Sequence, residues 1–477
     1  MRRLRSPRRS KRTYNALSGV NRSKTVPQEA EGAVEAPGEV MLLSFAVRNH
    51  RSIRDRAELT LTTTRLRTAR PPEDDWKPFV TRVAAIYGAN ASGKSTLIHA
   101  LEFMRAAVQN SATAWGHRED FPHYPFLLED SFAGRASEYE ADFVHGGVRY
   151  SYGFESDASG VRGEWLFSYP EGRRRKLFER EAREPESITF GRTLGGENST
   201  MRKLVRPNAL YLSVAANSNH PTLTPLWRYF VRGVEFVLLD EADKSARVER
   251  VKQWLTNEAA LATAVSILAF ADLGIEGVAI EEKELDQDSE KRFVSAMETL
   301  YGEPRPPEYS ARVMETQSKV LTFAHTSGAE GATKRLDIDR ESSGTVSWLA
   351  LAMPAVRAMR AGGVFVVDEI DASLHPRLTA ALIQLFKDEQ VNAAGAQLIF
   401  TSHDTTLLGG LVGDVLAHEE TWFVEKNASG VSEVYSLAEF PVRADHNVER
   451  RYLGGRYGAV PVLSYERLRD ALTHRAS

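Results

Sequence analysis

Residues 83–97, with the sequence VAAIYGANASGKSTL, decide the fold of this chain. An apolar run precedes Gly88, and apolar residues at helical spacing follow the loop: Leu97, Ile98, Leu101 and Met104. The pattern G-x-x-x-x-G-K-S between a strand and a helix is typical of a P-loop, in which glycines let the backbone close around an anion. Backbone N–H groups and the helix N terminus supply the positive potential. The stretch therefore predicts a site for a nucleoside triphosphate.

The P-loop pattern predicts a role for each of its polar residues. Lys94 is expected to reach the β- and γ-phosphates, and the Ser95 hydroxyl is expected to bind Mg²⁺. A chance glycine-rich turn is the alternative, and the correct flanks on both sides argue against it. The predicted cofactors are therefore ATP and Mg²⁺. The predicted nucleotide-binding residues are Gly88, Asn90, Ser92, Gly93, Lys94, Ser95 and Thr96.

A second apolar strand ends in carboxylates, as the catalytic half of such a fold requires. Residues 363–371 read GVFVVDEID, so Asp368 and Glu369 follow the strand directly. Asp368 is predicted to hold Mg²⁺ and Glu369 to polarise the attacking water. Residues 397–403, QLIFTSH, predict another buried strand that ends at the same edge of the sheet. His403 is then predicted to contact the γ-phosphate, although a lone histidine is otherwise more often a satisfied surface residue.

A second anion site is predicted upstream of these strands. Residues 341–345 read ESSGT and precede an apolar helical pattern over 346–359. Ser342 and Gly344 at a helix N terminus form an anion site, and one P-loop does not need two phosphate sites of its own. We therefore expect Ser342 and Gly344 to bind the γ-phosphate held by a second subunit, which implies a homodimer or higher homo-oligomer with ATP between subunits. An ordinary N-cap is the alternative.

Composition narrows the class of protein. The 477-residue chain has 42% hydrophobic and 26% charged residues, as an ordinary globular protein does. It contains no cysteine, which excludes disulfides, thiolate metal sites and cysteine nucleophiles. No apolar run reaches the roughly 18–20 residues that cross a bilayer. The sequence therefore predicts a soluble, cytoplasmic protein without a membrane partner.

The N terminus differs from the rest of the chain in charge. Residues 1–40 carry nine Lys or Arg and four Glu, a net charge of +5, whereas the whole chain has a net charge of −3. The first 24 residues contain no acidic residue, so we expect residues 1–40 to be a disordered basic extension. One interpretation is an over-extended or dispensable N terminus before Met41. The other is an arm that binds nucleic-acid phosphates.

Periodicity gives a coarse domain organisation. Alternating apolar residues from Leu42 and a tight-turn sequence at 145–147 indicate a β-rich lobe around the P-loop. Helical patterns at 246–271 and 287–301 indicate a helical insertion. The basic turn at 173–176 is a solvated hairpin tip or, alternatively, a nucleic-acid contact. The predicted parts are a basic extension (1–40), the N-terminal half of the ATPase domain (41–205), a mostly helical insertion (206–305) and the C-terminal half of the ATPase domain (306–477).

These motifs, in this order, resemble an ABC-type ATPase of the SMC/RecF/OLD lineage. The chain is similar, more closely, to the AAA-domain ATPase family of bacterial abortive-infection and phage-defence loci. The resemblance implies an α/β fold, a P-loop NTPase of ABC (SMC/RecF-like) type with a mixed β-sheet lobe and a helical insertion. The similar segments are LLSFAVRNHRSI (42–53), IYGANASGKSTL (86–97), ADLGIEGV (271–278), DEIDASLHP (368–376) and YLGGRYGAVP (452–461).

The sequence also departs from the pattern of that lineage. Glu341 stands where many ABC proteins have Leu, and Thr345 stands where they often have Gln or Glu. No glutamine is identified as the Q-loop residue that would couple Mg²⁺ to the insertion.

The resemblance also implies a partner. In this family the ATPase is commonly encoded beside an effector, often a TOPRIM-type nuclease or another toxin. About seventy residues follow His403, and they lack the acidic arrangement of a two-metal nuclease. The resemblance therefore implies a separately encoded effector from a neighbouring gene.

Three functions are compatible with the sequence. The first is an ATP-hydrolysing sensor or regulator in an anti-phage abortive-infection system. The second is a DNA-repair or recombination ATPase of the RecF/SMC kind that acts on DNA. The third is a scaffold clamped by ATP, with little turnover. Binding of DNA or RNA is left open, and an ABC transporter subunit is disfavoured because the insertion is long.

Overall fold

The computed structural model describes most of the chain from Val40 onward. Contacts divide the chain into two compact units. Among the described residues, the first unit comprises those within 40–238 and 355–473, and the second comprises those within 248–354. The predictions of a basic extension and of a helix at 287–301 lie outside the described residues. The structure describes residues 40–63, 70–116, 118, 120–238, 248, 251–252, 254–255, 257–271, 274–282, 319–327, 332–372, 374–443, 446–461 and 464–473.

Strands and helices follow one another in groups along the described residues. The strands are β1 Val40–Arg48, β2 Ala57–Thr60, β3 Val83–Tyr87, β4 Ser137–His145, β5 Val148–Asp157, β6 Gly160–Ser168, β7 Arg175–Arg180, β8 Ile188–Phe190, β9 Val234–Leu238, β10 Ile275–Glu282, β11 Lys319–Ser327, β12 Ala332–Asp337, β13 Val364–Asp368, β14 Gln397–Thr401, β15 Thr421–Lys426 and β16 Ser432–Ser436. The helices are α1 Lys94–Asn110, α2 Asp130–Ala133, α3 Asn198–Arg202, α4 Tyr211–Asn217, α5 Leu223–Gly233, α6 Glu258–Phe270, α7 Ser343–Ala361, α8 Pro376–Lys387, α9 Val448–Leu453 and α10 Tyr465–Thr473.

A six-stranded sheet in the first unit carries the predicted P-loop. Its strand order is β16-β15-β3-β14-β13-β9, and only the β15–β16 pair is antiparallel. Strands β3 and β14 are buried along their whole length. Near-continuous apolar runs are expected in parallel strands that are covered on both faces. The carboxyl ends of β3, β14 and β13 therefore meet at one edge of this sheet.

A seven-stranded antiparallel sheet forms the rest of the first unit. Its order is β2-β1-β4-β5-β6-β7-β8, and the tight turn between β4 and β5 has Gly146 and Gly147 at positive φ. One core of buried residues joins both sheets and helix α1. The buried Gln397 amide ties β14 to β1, because its Nε2 donates to the Leu42 carbonyl (2.9 Å) and its Oε1 accepts from the Leu42 N–H (2.6 Å). The predicted α/β architecture with a β-sheet lobe is confirmed.

The second unit contains a small antiparallel sheet as well as helices. Strand β11 lies between β10 and β12, and helix α6 packs against β10. Helix α6 begins at an N-cap, where the Asn257 side chain accepts from the Ala260 N–H (2.9 Å). Helix α7 begins in this unit and ends in the first one.

The boundaries of the insertion differ from those predicted. Residues 206–240 lie in the first unit, because α4 and α5 pack on α1 and β9 pairs with β13 in the six-stranded sheet. The described residues within 319–354, which were predicted to belong to the C-terminal half, lie in the second unit. The described part of that unit contains the three-stranded sheet and helix α6, and the mostly helical character of residues 206–305 remains a prediction. Apolar runs such as 208–216 do not reveal on which side of a boundary they pack.

Candidate functional site

The P-loop connects β3 to α1 through a backbone that only glycine tolerates at two positions. Gly88 has φ +156° and Gly93 has φ +114°. A Cβ atom at Gly88 would collide with the Val424 carbonyl oxygen, and one at Gly93 would collide with the Ser432 hydroxyl. Both glycines are therefore required by close approach as well as by backbone conformation. The tip of the loop, Asn90 and Ala91, is exposed.

Lys94 closes over its own loop. Its Nζ donates to the carbonyl oxygens of Gly88 (2.8 Å) and Ala89 (3.2 Å), and the side chain is buried. Burial lowers the pKa of the Lys94 ammonium, and the carboxylates of Asp368 and Glu369 oppose that shift. A buried cation that faces carboxylates across a glycine-rich loop is suited to hold an anion and a metal ion together.

The hydroxyls of the loop are placed differently from one another. Ser92 is buried, and its Oγ has no hydrogen-bond partner among the described residues. Ser95 is exposed at the start of α1, and Thr96 is half-buried. A buried hydroxyl without a partner costs free energy unless a ligand satisfies it. The orphaned Ser92 hydroxyl and the open Ser95 hydroxyl therefore fit a phosphate and its Mg²⁺.

The support beneath the loop comes from residues that sequence reasoning missed. The Ser432 Oγ donates to the Ser92 carbonyl (2.6 Å) and lies 2.8 Å from the Ser52 Oγ. The Ser52 Oγ also lies 3.2 Å from the Thr96 Oγ1. Ser52 follows β1 and Ser432 begins β16, so the two hydroxyls come from opposite ends of the chain. No local pattern distinguishes either serine in the sequence.

The carboxylates that follow β13 are fixed by β14. The Thr401 Oγ1 donates to the Asp368 Oδ1 (2.5 Å) and accepts from the Glu369 N–H (2.7 Å). Glu369 is exposed and has φ +56°, an uncommon conformation for a residue with a side chain. Such strain is held only where the surroundings impose it, and it clusters at functional sites. Thr401 is a further residue that sequence reasoning missed.

His403 lies beyond the end of β14, at the same edge of the sheet. Its backbone N–H donates to both carboxylate oxygens of Asp371 (3.2 and 3.3 Å), and its side chain is exposed. Asp371 therefore fixes the main chain from which the imidazole extends. The structure thus brings the P-loop, Asp368, Glu369 and His403 to the ends of three neighbouring strands.

The C-terminal segment 452–461 packs behind this edge. The Tyr87 ring lies edge-on to Tyr452 (6.2 Å between centroids), and Tyr452 and Tyr457 stack on Phe423. Burial, and next the nearby Asp404 carboxylate, raise the pKa of the Tyr87 hydroxyl well above its ordinary value. Tyr87 is therefore neutral, and Tyr452 of the C-terminal segment packs its ring against it.

Ser342 and Gly344 belong to the second unit, whereas the P-loop belongs to the first. The Ser342 Oγ accepts from the Thr345 N–H (3.0 Å) and lies 2.9 Å from the Thr345 Oγ1. Ser342 is thus an N-cap of α7, and Gly344 lies in the first turn of that helix. The exposed Ser342 and Ser343 leave this helix N terminus open. The geometry of the cap is compatible with both interpretations of the sequence.

Comparisons with known proteins agree with a P-loop ATPase. A family model described as "AAA domain, putative AbiEii toxin, Type IV TA system" matches residues 83–409, which is 327 of the 477 residues. No curated protein matches the chain. Across the described residues, none of the helices combines the length and the apolar character needed to cross a membrane.

Solved structures that are similar to this chain are distant from it. One is an Smc head bound to the C-winged helix domain of ScpA, with 12% identity, a TM-score of 0.37, and coverage of 83% of this chain and 97% of that chain. Another is an Smc head domain with an extended coiled coil, bound to the C-terminal domain of ScpA, derived from Pyrococcus furiosus (15%, 0.33, 83% and 96%). A third is the recombination mediator protein RecF with ATPrS in the RecFOR pathway (11%, 0.34, 84% and 99%).

Proposed function

The chain belongs to the AAA-domain family described as "putative AbiEii toxin, Type IV TA system", and we propose that it is the ATP-hydrolysing sensor or regulator of an anti-phage abortive-infection system. The family match confirms the family to which the motifs pointed. The proposed output is control of a separately encoded effector, such as a TOPRIM-type nuclease or another toxin. One observation carries the catalytic part: the P-loop, two carboxylates and a histidine follow three neighbouring strands at one sheet edge.

The P-loop residues hold the triphosphate in this proposal. Lys94 turns its buried ammonium from the carbonyl oxygens of its own loop toward the β- and γ-phosphates. Gly88, Asn90, Gly93 and Thr96 contribute the backbone and rim of the cradle, and the orphaned Ser92 hydroxyl gains a partner. Ser95 and Asp368 hold Mg²⁺, which neutralises charge on the phosphates when bound.

Glu369 is the proposed general base. The Thr401 hydroxyl accepts from the N–H of Glu369, whose backbone is in the left-handed region. This contact sets the direction in which the Cα–Cβ bond of Glu369 leaves the end of β13. Water positioned by Glu369 attacks the γ-phosphorus and passes a proton to that carboxylate. The bond between the γ-phosphorus and the bridging oxygen breaks, and ADP leaves with that oxygen. His403, anchored through its N–H by Asp371, contacts the γ-phosphate and distinguishes ATP from ADP. These roles rest on the shared sheet edge and on the polar character of each residue.

The N terminus of α7 is the proposed second phosphate contact, supplied by another copy of the chain. Ser342 and Gly344 present an open helix N terminus, which attracts anions. In a two-fold pair, each ATP lies between the P-loop of one subunit and the Ser342–Gly344 turn of the other. Closure of the pair then depends on the γ-phosphate, because ADP leaves the turn without a ligand.

Replacing Glu369 tests the catalytic assignment. Glu369→Gln keeps the size of the side chain but removes the base, so kcat for ATP hydrolysis should fall by about 10²–10⁴-fold. The Kd for ATP should stay within about threefold of wild type. The exposed Glu389 on the same unit provides the control, since Glu389→Gln should leave both quantities unchanged. A Glu369→Gln protein that hydrolyses ATP at nearly the wild-type rate would refute the assignment.

The biological role needs a separate test. The chain should reduce phage plaque counts only when it is expressed with its neighbouring gene, and Glu369→Gln should change that protection. An ATPase rate that double-stranded DNA stimulates strongly, without any protection from phage, would instead support the DNA-repair function. Protection that is retained in Glu369→Gln, with slow turnover in wild type, would support an ATP-clamped scaffold.

A further inference from the structure

Glu341, the residue before the Ser342–Gly344 turn, is unusually well held for an acidic side chain. Its carboxylate is 6% exposed, and its Oε1 accepts from the Nε2 of His325 at 2.6 Å. A buried carboxylate keeps its charge only when hydrogen bonds compensate the loss of water. The pair therefore fixes where the chain must pass immediately before α7.

His325 is in turn fixed by its place in the sheet of the second unit. Strand β11 is the central strand, so His325 lies between Ile275 of β10 and Lys334 of β12. It shares a face of the strand with Phe323 and Leu321, both of which are fully buried. The His325 side chain follows these two on the same face but is 25% exposed, and its Nε2 is placed to donate to Glu341.

The other side of the turn is anchored as well. The Trp348 Nε1, one turn into α7, donates to the Ile267 carbonyl of α6 (3.0 Å), and its ring stacks on Phe270. The Ser342–Gly344 turn therefore lies between two attachments, Glu341 to β11 and Trp348 to α6. Between these two attachments, the cap consists of the hydrogen bond from the Thr345 N–H to the Ser342 Oγ.

We propose that Glu341 is a positioning residue which, through its hydrogen bond to His325, aims the Ser342–Gly344 turn at the ATP of a second subunit. This inference rests on the proposed function, in which that turn acts in trans. It adds that the three-stranded sheet and the phosphate-sensing turn move as one body. A change at β11 then alters ATP hydrolysis on the partner subunit rather than on its own.

Three variants and a control test the hydrogen bond. Glu341→Leu removes the acceptor, and His325→Ala removes the donor, whereas Glu341→Gln keeps an acceptor oxygen for the His325 N–H. The control is Glu281→Leu, since Glu281 of β10 is in the same sheet and forms only a loose, exposed pair with Arg335 (4.0 Å). We expect kcat to fall by at least about tenfold in Glu341→Leu and His325→Ala. Glu341→Gln and Glu281→Leu should stay within about threefold of wild type.

Two further readouts separate positioning from loss of fold. The Kd of each variant for ATP should stay within about twofold of wild type, because the P-loop is in the other unit. The double variant His325→Ala/Glu341→Leu should be no worse than either single variant, because both remove the same bond. Equal kcat in Glu341→Leu and wild type, or additive losses in the double variant, would overturn the proposal.

Mixing experiments decide whether Glu341 acts in trans. Lys94→Ala protein, which has an intact turn, is mixed with Glu341→Leu protein, which has an intact P-loop. Half of the randomly paired dimers are heterodimers with one complete site, so about a quarter of the wild-type rate should return. The same mixture with Gly344→Asp in place of Glu341→Leu tests the composite site itself. If Glu341→Leu does not fold, His325→Ala replaces it.

The outcomes of the two mixtures are distinguishable. Recovery in both mixtures supports the proposal. Recovery with Gly344→Asp but not with Glu341→Leu would leave the composite site standing and overturn the role of Glu341. Recovery with Glu341→Leu alone would overturn the claim that Glu341 acts through the Ser342–Gly344 turn. Failure of both mixtures, with heterodimers shown by native mass spectrometry, would refute the composite site and the role of Glu341 with it.

Discussion

Two helix N termini in this protein resemble each other in sequence and differ in construction. At the start of α1, the loop is held by residues far away in sequence, Ser52 and Ser432, and its Ser92 hydroxyl is left without a partner among the described residues. At the start of α7, the Ser342 hydroxyl is engaged by Thr345, three residues on. The P-loop is therefore held in shape by distant residues and has one buried hydroxyl, that of Ser92, available for a ligand. The N terminus of α7 is capped by a hydrogen bond within its own first turn, and its first residues are exposed.

The two constructions indicate which site acts alone. A loop that is supported from beneath keeps its shape without ligand, and a site that is already ordered loses less free energy when it binds. The cap of α7 is closed within its own first turn, although the chain on either side of it is attached to β11 and to α6. To an anion it offers only the helix dipole and the N–H groups of that turn. We therefore expect the P-loop to determine affinity for ATP and the α7 turn to determine whether bound ATP leads to pairing of subunits.

Lys94→Ala should have the largest effect, and it should fall on binding. The substitution removes the buried cation of the P-loop that we propose to bind the phosphates, so the Kd for ATP should rise by at least about 100-fold. Titration with a fluorescent ATP analogue measures this directly, with the exposed Lys426→Ala as the control. A Kd within about threefold of the wild-type value would contradict the expectation that the P-loop, rather than the α7 turn, determines affinity for ATP.

Gly344→Asp should leave binding intact and abolish pairing. A carboxylate in the first turn of α7 would face the γ-phosphate of a partner, and like charges in an interface cost several kcal/mol. In the Glu369→Gln background, ATP-dependent dimerisation measured by light scattering should weaken by about 30- to 100-fold. The same protein should titrate ATP normally. If Glu369→Gln alone stays monomeric with ATP, the composite site does not exist.

Thr401→Val should reduce turnover more than it reduces binding. Valine keeps the shape of the side chain but loses the hydrogen bond to Asp368 and the acceptor for the Glu369 N–H. Loss of a bond to a charged group should lower kcat by about tenfold. Thr401→Ser, which keeps the hydroxyl, is the matched control. Steady-state kinetics with both variants would show whether the hydroxyl or the methyl group matters.

Ser432→Ala should weaken ATP binding at the P-loop and leave the N terminus of α7 unchanged. It removes the donor to the Ser92 carbonyl beneath the loop, so the Kd for ATP should rise by about three- to tenfold. Ser429→Ala, in the exposed turn of the same hairpin, is the control. Isothermal titration resolves changes of this size. An unchanged Kd would mean that the loop is held by its glycines alone.

Acid should lower the stability of the region around α1 through two histidines. His99 lies on that helix, and His50 bonds to His99. His50 bonds to Tyr139 and to His99 (2.8 Å each), and burial lowers the pKa of His50 to about 2 and that of His99 to about 4. Because these folded-state pKa values lie below the ordinary 6.5, stability is full above pH 6.5 and is lost as pH falls toward 4.

The melting temperature should therefore decline between pH 6.5 and about 4. The decline should be shallower in His99→Asn, because one fewer proton is taken up on unfolding. The exposed His418→Asn serves as the control. Identical pH profiles for wild type and His99→Asn would show that the pair does not govern acid stability.

The sequence was sufficient to predict features that are local in the chain. The P-loop and the strands that end at Asp368 and before His403 are contiguous patterns, and the structure places them at one sheet edge. Ser52, Ser432 and Thr401 could not be found in this way, because each acts on a residue more than thirty positions away. Their contacts depend on strand order, and strand order is a property of the whole fold.

The insertion shows a second limit. The membership of β9 in the main sheet, rather than in the insertion, is decided by its pairing with β13. An apolar strand of five residues carries no information about its neighbour. The roles of Glu369, His403, Ser342 and Gly344 remain predictions, since position alone does not report chemistry.

The order of strands in the main sheet also bears on how the protein is synthesised. Strand β3 precedes the P-loop, yet its two neighbours are β14 and β15, and the support beneath the loop is Ser432. At about 5–20 residues per second, a ribosome needs roughly 20–70 s to proceed from β3 to β16. Throughout that interval the nascent chain contains the P-loop sequence but still lacks the neighbouring strands and the Ser432 hydroxyl that support the loop. The loop therefore gains the support of Ser432 only after β16 has been synthesised, 340 positions beyond Ser92.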